Sequence, residues 1–578
     1  MCGIAGIIGS SASIDKVTAM TDRLSHRGPD GAGVWSAPGV VLGHRRLSIL
    51  DLSHAADEPM VFGEHVLTYN GEIYNHQALR AELPGPWRST GDTEVLLHLL
   101  ARHGKSGLTK TIGMFAFGSW DGAARRLLLA RDRVGIKPLY YQLLPDGIAF
   151  ASELKALLVL GKPQIDASAL RDFLFHGYVP APKTIFRGIS KLPAGHTLTW
   201  EEGRVSIERY WEPSAALAAR TADDSVQMLD EVLRTVVPAH LLSDVPVGVF
   251  LSGGIDSALT AYYLDRPRTY SLGFDASDRS ELDAARSAAA HLRTVHTDMT
   301  AQAADFEQAL AAIPALFDEP FADSAAWSNY LIAQFARREV TVALSGEGGD
   351  EVFCGYPRYW SRVGARSTVL NRALARLLPP LTRLASSMQR HAYVGLPAYA
   401  AALGGMTGEQ IDALLGHSWR EADYDYLWFY RQFWREELSP LARLRWLDLH
   451  TDLAEGLLTK VDRTSMAHSL EVRPPLLDHR LVEFMLSVDP ALLVDERGRR
   501  GKLLVRRLMA PRLPPGHLER PKSGFGLPVH RWLKNHPRVL HEAVERLRAR
   551  GVLQRSVGVE FRRAWSLLVL DRWFTAFE

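Results

Sequence analysis

Val249-Phe250-Leu251-Ser252-Gly253-Gly254-Ile255-Asp256-Ser257 is the stretch from which the fold of the larger part of this chain can be read. Residues 247–251 have the length and apolar content of a buried strand, paired glycines follow, and residues 257–264 read as a helix. Lacking a Cβ, Gly253 and Gly254 let successive backbone N–H groups turn inward as an anion nest. The helix amino terminus adds the positive end of its dipole there, and Ser252 and Ser257 add hydroxyl donors. No Gly-Lys-Ser/Thr follows, so this is not a Walker A loop. Moving outward, residues 269–274 read as a second strand, and Ser280 with Asp283 forms a capping-box pattern opening a helix to His291. Strand alternating with helix predicts a parallel sheet covered by helices. After a further strand over 340–344 comes Ser345-Gly346-Glu347-Gly348-Gly349-Asp350-Glu351-Val352-Phe353. Carboxylates beside a phosphate nest would repel it, so they either ligate Mg²⁺ or serve an acceptor.

The rest of the chain has a different rhythm. Short apolar runs at 40–43, 66–69, 114–120, 126–130, 139–142 and 148–151 are separated by Gly, Asn and Asp turns and interrupted by one helix over 93–102. These boundaries divide the chain into a strand-rich domain over 1–210, a linker over 211–224 and an α/β domain over 225–578. Beyond about Trp360 the text turns helical, and the aromatic cluster from Tyr424 to Trp434 reads as a packed helix face.

Composition narrows the chemistry. With 578 residues the chain needs more than one core. Lys plus Arg at 67 against Asp plus Glu at 65 gives a charge of +2, too weak a bias for a nucleic-acid surface. Two cysteines, Cys2 and Cys354, argue against a disulfide framework and a cysteine zinc site. The opening apolar run lacks a basic start and reaches Gly9 too soon for a signal peptide, and no stretch has the apolar length of a membrane helix. The expectation is a cytoplasmic protein with small-molecule substrates and neither nucleic-acid nor membrane partners. A homodimer stays open.

Cys2 follows Met1 directly. Removal of Met1 would place a thiol and an α-amine on one residue, and an amine with a pKa near ~8 can accept the thiol proton at neutral pH. One cysteine is a weak signal, but its company is not: Ser25-His26-Arg27-Gly28-Pro29-Asp30, His44-Arg45-Arg46-Leu47-Ser48-Ile49-Leu50-Asp51, Tyr69-Asn70-Gly71-Glu72-Ile73-Tyr74-Asn75 and Gly91-Asp92-Thr93-Glu94. Among these are a guanidinium able to clamp a carboxylate, a carboxylate able to hold an ammonium, and an amide followed by glycine able to stabilise an oxyanion.

These segments, with Arg131-Asp132-Arg133-Val134-Gly135-Ile136-Lys137-Pro138-Leu139-Tyr140-Tyr141, resemble the class II glutamine amidotransferase domain, an N-terminal nucleophile hydrolase. The Ser252 loop resembles that of ATP pyrophosphatases. Together with Leu453-Ala454-Glu455-Gly456-Leu457-Leu458-Thr459-Lys460-Val461-Asp462-Arg463 and Leu470-Glu471-Val472-Arg473-Pro474-Pro475, they resemble the asparagine synthetase B family from Cys2 to about Trp532. The fold this implies is α/β. It comprises an amino-terminal αββα Ntn-hydrolase glutaminase domain and a carboxy-terminal parallel α/β synthetase domain of ATP-pyrophosphatase type with a helical extension.

The activity implied is glutamine-dependent asparagine synthesis, with ATP and Mg²⁺ as cofactors. By the resemblance, Cys2 is the nucleophile and Asn70 with Gly71 the oxyanion hole. Arg46, the Leu47, Ser48, Ile49 and Leu50 backbone, Glu72 and Asp92 bind glutamine. Leu251, Ser252, Gly253, Gly254, Asp256, Ser257, Leu272, Ser345 and Gly346 bind ATP, Asp256 and Asp350 hold the metal, and Glu347 acts on the acyl-adenylate. Lys522, Arg463 and Arg473 are further candidates for acceptor or phosphate contacts.

Departures from the pattern bear on the acceptor. Ala325-Ala326-Trp327-Ser328-Asn329 replaces the small, Ile/Leu, Pro, Thr sequence expected after Asp318-Glu319-Pro320-Phe321-Ala322-Asp323. Trp327 either reshapes the acceptor pocket or is a packing change. Arg463 stands where some relatives carry lysine, and Cys354 where glycine is common. Amidation of another carboxylic acid, such as a natural-product precursor, therefore stays open. A non-catalytic glutamine or nucleotide sensor would be expected to have lost Cys2, Asp256 or Glu347.

Overall fold

The computed structural model describes residues 2–274, 279–361, 395–403, 405–495, 497–520, 529–554 and 564–577. Its amino-terminal part is two six-stranded antiparallel sheets packed face to face. One runs Ile189–Lys191, Tyr140–Leu144, Gly147–Ala151, Gly3–Ile8, Val40–Arg46, Gly31–Ala37. The other runs Arg204–Arg209, His196–Glu201, Arg126–Arg131, Gly113–Asp121, His65–Ile73, Met60–Phe62.

Period-two alternation explains the layering. Ile4 and Ile8 face the core between the sheets, shared with Val66, Ala116 and Leu129. Ala5 and Ile7 face the other way, onto Val17 and Met20 of helix Ile14–Asp22 and Leu170 and Phe173 of helix Ala167–His176. On the second sheet, Leu67, Tyr69, Phe115 and Phe117 turn to Val95, Leu96 and Leu99 of helix Asp92–His103. Helix, sheet, sheet, helix is the expected αββα order.

Residues 211–221 carry no helix or strand. Thr221 and Asp224 then close a capping box on helix Ala222–Ala239. A five-stranded parallel sheet follows, in the order Val295–Ala301, Arg268–Phe274, Val247–Phe250, Val342–Leu344, Glu471–Arg473. Connections from Val247–Phe250 proceed to one side and Val342–Leu344 lies on the other. The switch point thus falls between the two strands that carry the glycine loops, where parallel sheets bind ligands. The helix expected from Ser280 begins at Arg279, so Ser280 lies inside it rather than at its cap.

The expected helical extension includes Leu396–Leu403, Gly408–Leu414, Pro440–His450 and Thr459–Met466. The cluster at 424–434 packs into the core but is not the expected helix face, since only Trp428–Arg431 is helical. It also donates hydrogen bonds to helix Ala167–His176, where Tyr424 at 2.6 Å and Trp428 at 2.9 Å reach Asp172. No described helix is long and apolar enough to cross a membrane.

Candidate active sites

Cys2 immediately precedes strand Gly3–Ile8, which brings its main chain beside Asn70 of strand His65–Ile73. Its backbone N–H donates to Asn70 Oδ1 at 2.8 Å and its carbonyl accepts from Arg27 Nε at 3.0 Å. Burial pushes the thiol up, while the amino terminus, the Leu47 amide and Arg46 pull it down. Asn70 Nδ2 is buried and has no hydrogen-bond partner. A Cβ on Gly71 would lie 2.3 Å from the Met114 carbonyl, so only glycine fits beside the neighbouring strand. Asp92 Oδ2 accepts from the Tyr69 hydroxyl and the Ile73 N–H, each at 2.8 Å. The Arg46 guanidinium donates to Ser53 O at 2.9 Å and Asp57 Oδ1 at 2.8 Å. Leu47 and Ile49 pack on Val342 and Met466 from the other half of the chain, and Ser48 N donates to Asp30 at 2.8 Å. Leu50 is half-buried. The expected groups around Cys2 therefore converge on one face, closed by synthetase-side residues.

At the sheet switch point, Ser252 N donates to Ser257 Oγ at 3.0 Å and Gly254 N to Ser252 Oγ at 3.1 Å, which folds the loop onto helix Ile255–Tyr262. The second loop touches the first, because a Cβ on Gly346 would lie 2.7 Å from Ser257 N and one on Gly349 2.5 Å from Asp256 Cγ. Leu251, Leu272 and Ser345 are buried nearby. Lys502 places its ammonium against Asp256 and 2.6 Å from Asp350 Oδ1. Asp256 and Asp350 therefore present hard carboxylate oxygens to the same position, and these two residues could hold Mg²⁺. Burial raises Glu347, Lys460 opposes it, and Asp323, Asp350 and Asp256 add to the rise. Lys460 itself pairs with Asp323 at 2.9 Å.

Comparison with known proteins fits both halves. Residues 228–573 match the family described as asparagine synthase. The chain belongs to the asparagine synthase family. Members of the family use ATP. Residues 1–211 match the glutamine amidotransferase domain. Relatives include asparagine synthetase [glutamine-hydrolyzing] 1 of Bacillus subtilis, 32% identical over 93% of this chain and 88% of that one. Asparagine synthetase B [glutamine-hydrolyzing] of Escherichia coli is 33% identical over 62% of this chain and 65% of its own. Amidase chyE of Penicillium rubens is 27% identical over 92% and 91%. The asparagine synthetases among these relatives are enzymes that form C–N bonds.

The remaining described candidates of this asparagine synthase family member have identifiable protein partners. Arg463 is fully buried and donates to Leu316 O and Asp318, with Glu153 at 3.2 Å, so its guanidinium belongs to the seam between the halves. The Arg473 backbone lies beside Ser345, yet its side chain reaches Glu72 at 2.9 Å on the Cys2 side. Trp327 is buried, its ring 5.1 Å from that of Phe274, which makes it part of the core. Cys354 has φ 60, a left-handed backbone that explains why glycine suits this position. Lys522 lies outside the described residues.

Sequence reasoning missed Lys502, one basic residue in the run Arg499-Arg500-Gly501-Lys502 with no motif to mark it. It also left Arg27 without a role. Arg27 is fully buried, reaches Glu153 at 2.7 Å and Asp462 at 2.8 Å, and ties the Cys2 carbonyl to the other half.

Proposed function

We propose that this chain hydrolyses glutamine at Cys2 and uses the ammonia to convert aspartate to asparagine at the expense of ATP. In this reading the boundaries are 1–210, 211–224 and 225–578, and the compartment is the cytoplasm. The observation that carries the glutaminase half is Asn70, whose Oδ1 accepts the Cys2 N–H at 2.8 Å while its buried Nδ2 stays unspent.

Once Met1 is removed, the Cys2 amine takes the Sγ proton and the thiolate attacks the glutamine carboxamide carbon. The oxyanion that forms receives the Asn70 Nδ2–H and the N–H beside Gly71. Arg46 and the Leu47–Leu50 backbone hold the substrate carboxylate, and Asp92 and Glu72 hold its ammonium. Collapse expels ammonia, with the amine returning its proton, and water then releases glutamate from the thioester.

In the second site the aspartate β-carboxylate attacks the ATP α-phosphorus and pyrophosphate leaves. Ser252, Gly253, Gly254 and Ser257 hold the departing phosphates, with Ser345, Gly346, Leu251 and Leu272 around the nucleotide. Asp256 and Asp350 would hold Mg²⁺, which supplies charge neutralisation at the phosphates. Lys502 delivers a second positive charge to the same place. Ammonia attacks the acyl carbon, Glu347 accepts its proton, and AMP leaves. Aspartate, glutamine, ATP and water become asparagine, glutamate, AMP and pyrophosphate.

Mass spectrometry of products from the purified protein with ATP, Mg²⁺, glutamine and a panel of acids tests this. Asparagine formed with aspartate supports the reading. The departure at Ala325-Ala326-Trp327-Ser328-Asn329 from the expected pattern is the support for a second reading, amidation of a different carboxylic acid; product with another acid and none with aspartate would select it. Absence of glutamate release would overturn both.

A further inference from the structure

Strand Met60–Phe62 pairs with His65–Ile73 only as far as Met60 opposite Leu67. Beyond that point the strand bearing Asn70 keeps Gly113–Asp121 on one side and loses its neighbour on the other. An unpaired buried peptide is costly, so something must replace the missing ladder. At Tyr69 two side chains do so. Glu58 Oε2 accepts the Tyr69 N–H at 2.7 Å, and His44 Nε2 lies 3.1 Å from the Tyr69 carbonyl. Burial lowers His44, so its ring is neutral and Nε2–H donates to that carbonyl. The other Glu58 oxygen meets the Thr93 hydroxyl at 3.2 Å, in the first turn of the helix that begins with Asp92. A Cβ on Gly33 would lie 2.0 Å from the Glu58 carbonyl, so the adjacent strand is built to let this residue in.

We propose that Glu58 is a positioning residue for amide hydrolysis, standing in for a missing strand to fix the Tyr69 peptide and, through it, Asn70 against Cys2, while tethering the helix end that carries Asp92. The proposal rests on the glutaminase reading above. Burial, with Cys2 and Asp92, pushes the Glu58 carboxyl up to about 8 against His44 and the Tyr69 amide. It therefore carries a proton at neutral pH. The groups that face it are His44, Cys2 and Asp92, with Arg46 acting on His44. Glu58 accepts from the Tyr69 N–H through one oxygen and from the Thr93 hydroxyl through the other; glutamine keeps the first bond through its amide oxygen and can hold Thr93 by donating its amide N–H to the hydroxyl oxygen.

The test compares Glu58→Gln and Glu58→Leu in the full chain. The readouts are ATP-independent glutamine hydrolysis, ammonia-supported synthesis as the folding control, and hydrogen exchange of the peptide spanning Tyr69. Glu58→Leu should lower glutaminase kcat by about 100-fold, change KM by less than about threefold and speed exchange at Tyr69, while ammonia-supported synthesis persists. Glu58→Gln should stay within about threefold of the parent at pH 7 and outperform it above about pH 8, where glutamine cannot ionise. Unchanged exchange at Tyr69 in Glu58→Leu, or a kcat within about threefold of the parent, overturns the proposal. A parent chain that releases no glutamate would sink the glutaminase reading instead, and the exchange measurement would still decide whether Glu58 holds the strand.

Discussion

Replacing Arg473 with Leu removes a cation that the synthetase half places between two buried carboxylates. Arg473 is fully buried, 2.9 Å from Glu72 and 2.5 Å from Glu471, and it also donates to the His240 carbonyl at 2.8 Å. Burial would raise Glu471, but the amino-terminal ammonium, Arg473 and Lys137 together hold it down at about 2 against an ordinary 4.5. That lowering contributes folding free energy at neutral pH, and Arg473 is one contributor to it. Because the folded value lies below the unfolded one, this stability is present above about pH 4.5 and lost as pH falls toward 2. The substitution also strips Glu72 of its cation, and breaking a buried pair from one side costs about 3–5 kcal/mol. Urea unfolding at pH 7 should therefore show Arg473→Leu less stable by about 3–5 kcal/mol. The gap to the parent should narrow as the pH is lowered from about 4.5 toward 2, where Glu471 takes up its proton; burial with Asp92 and Glu471 holds the Glu72 carboxyl well above the usual carboxylate range, so it does not titrate in that window. A gap under about 1 kcal/mol at pH 7, or one that does not narrow with acid, would refute this account of the cluster.

The other expectations divide between the two sites. Cys2→Ala should abolish glutamine-supported synthesis and leave ammonia-supported synthesis largely intact; equal loss of both in a folded protein would contradict separate sites. A non-removable amino-terminal extension should silence the glutaminase, because an acylated amine has no lone pair for the thiol, and full glutamate release from a mass-verified extended chain counts against it. Glu347→Gln should lower kcat for synthesis by about 100-fold with little change in the KM for ATP, whereas near-normal synthesis would remove Glu347 from the chemistry. Lys502→Met should raise the KM for ATP by about tenfold or more while sparing glutamine hydrolysis, measured by pyrophosphate release; an unchanged KM would leave Lys502 as a purely structural partner of Asp256 and Asp350.

The sequence made local elements legible wherever one residue pattern had one physical meaning. The alternation at 114–120 and 126–130 marks the strands Gly113–Asp121 and Arg126–Arg131, and the Ser252 loop sits at the strand-to-helix turn its glycines require. Legibility failed where a residue's role depends on what another part of the chain brings to it. Arg473 looks equally suited to a phosphate or a carboxylate until its side chain is seen to leave the sheet toward Glu72. Trp327 reads equally as a change to a pocket or to packing until it is found buried against Phe274. Lys502 and Glu58 lie in no motif, because each matters through partners at positions distant in sequence: Asp256 for one, Tyr69 and Thr93 for the other. Charge alone does not say which partner is met.

The ion pairs that cross the seam also limit how such a protein can be recombined. Arg27 with Asp462, Glu72 with Arg473, Arg131 with Glu455 and Lys191 with Glu319 each take one member from either side, and all are nine-tenths buried or more. A chimaera that joined this glutaminase to a relative's synthetase would seat each charge opposite whatever the donor sequence supplies. A single mismatch strands a carboxylate or guanidinium away from water, at a cost of about 3–5 kcal/mol, comparable to the whole stability of a small domain. Working hybrids should thus be those that transplant the paired positions together, so the unit of exchange is the pair rather than the domain.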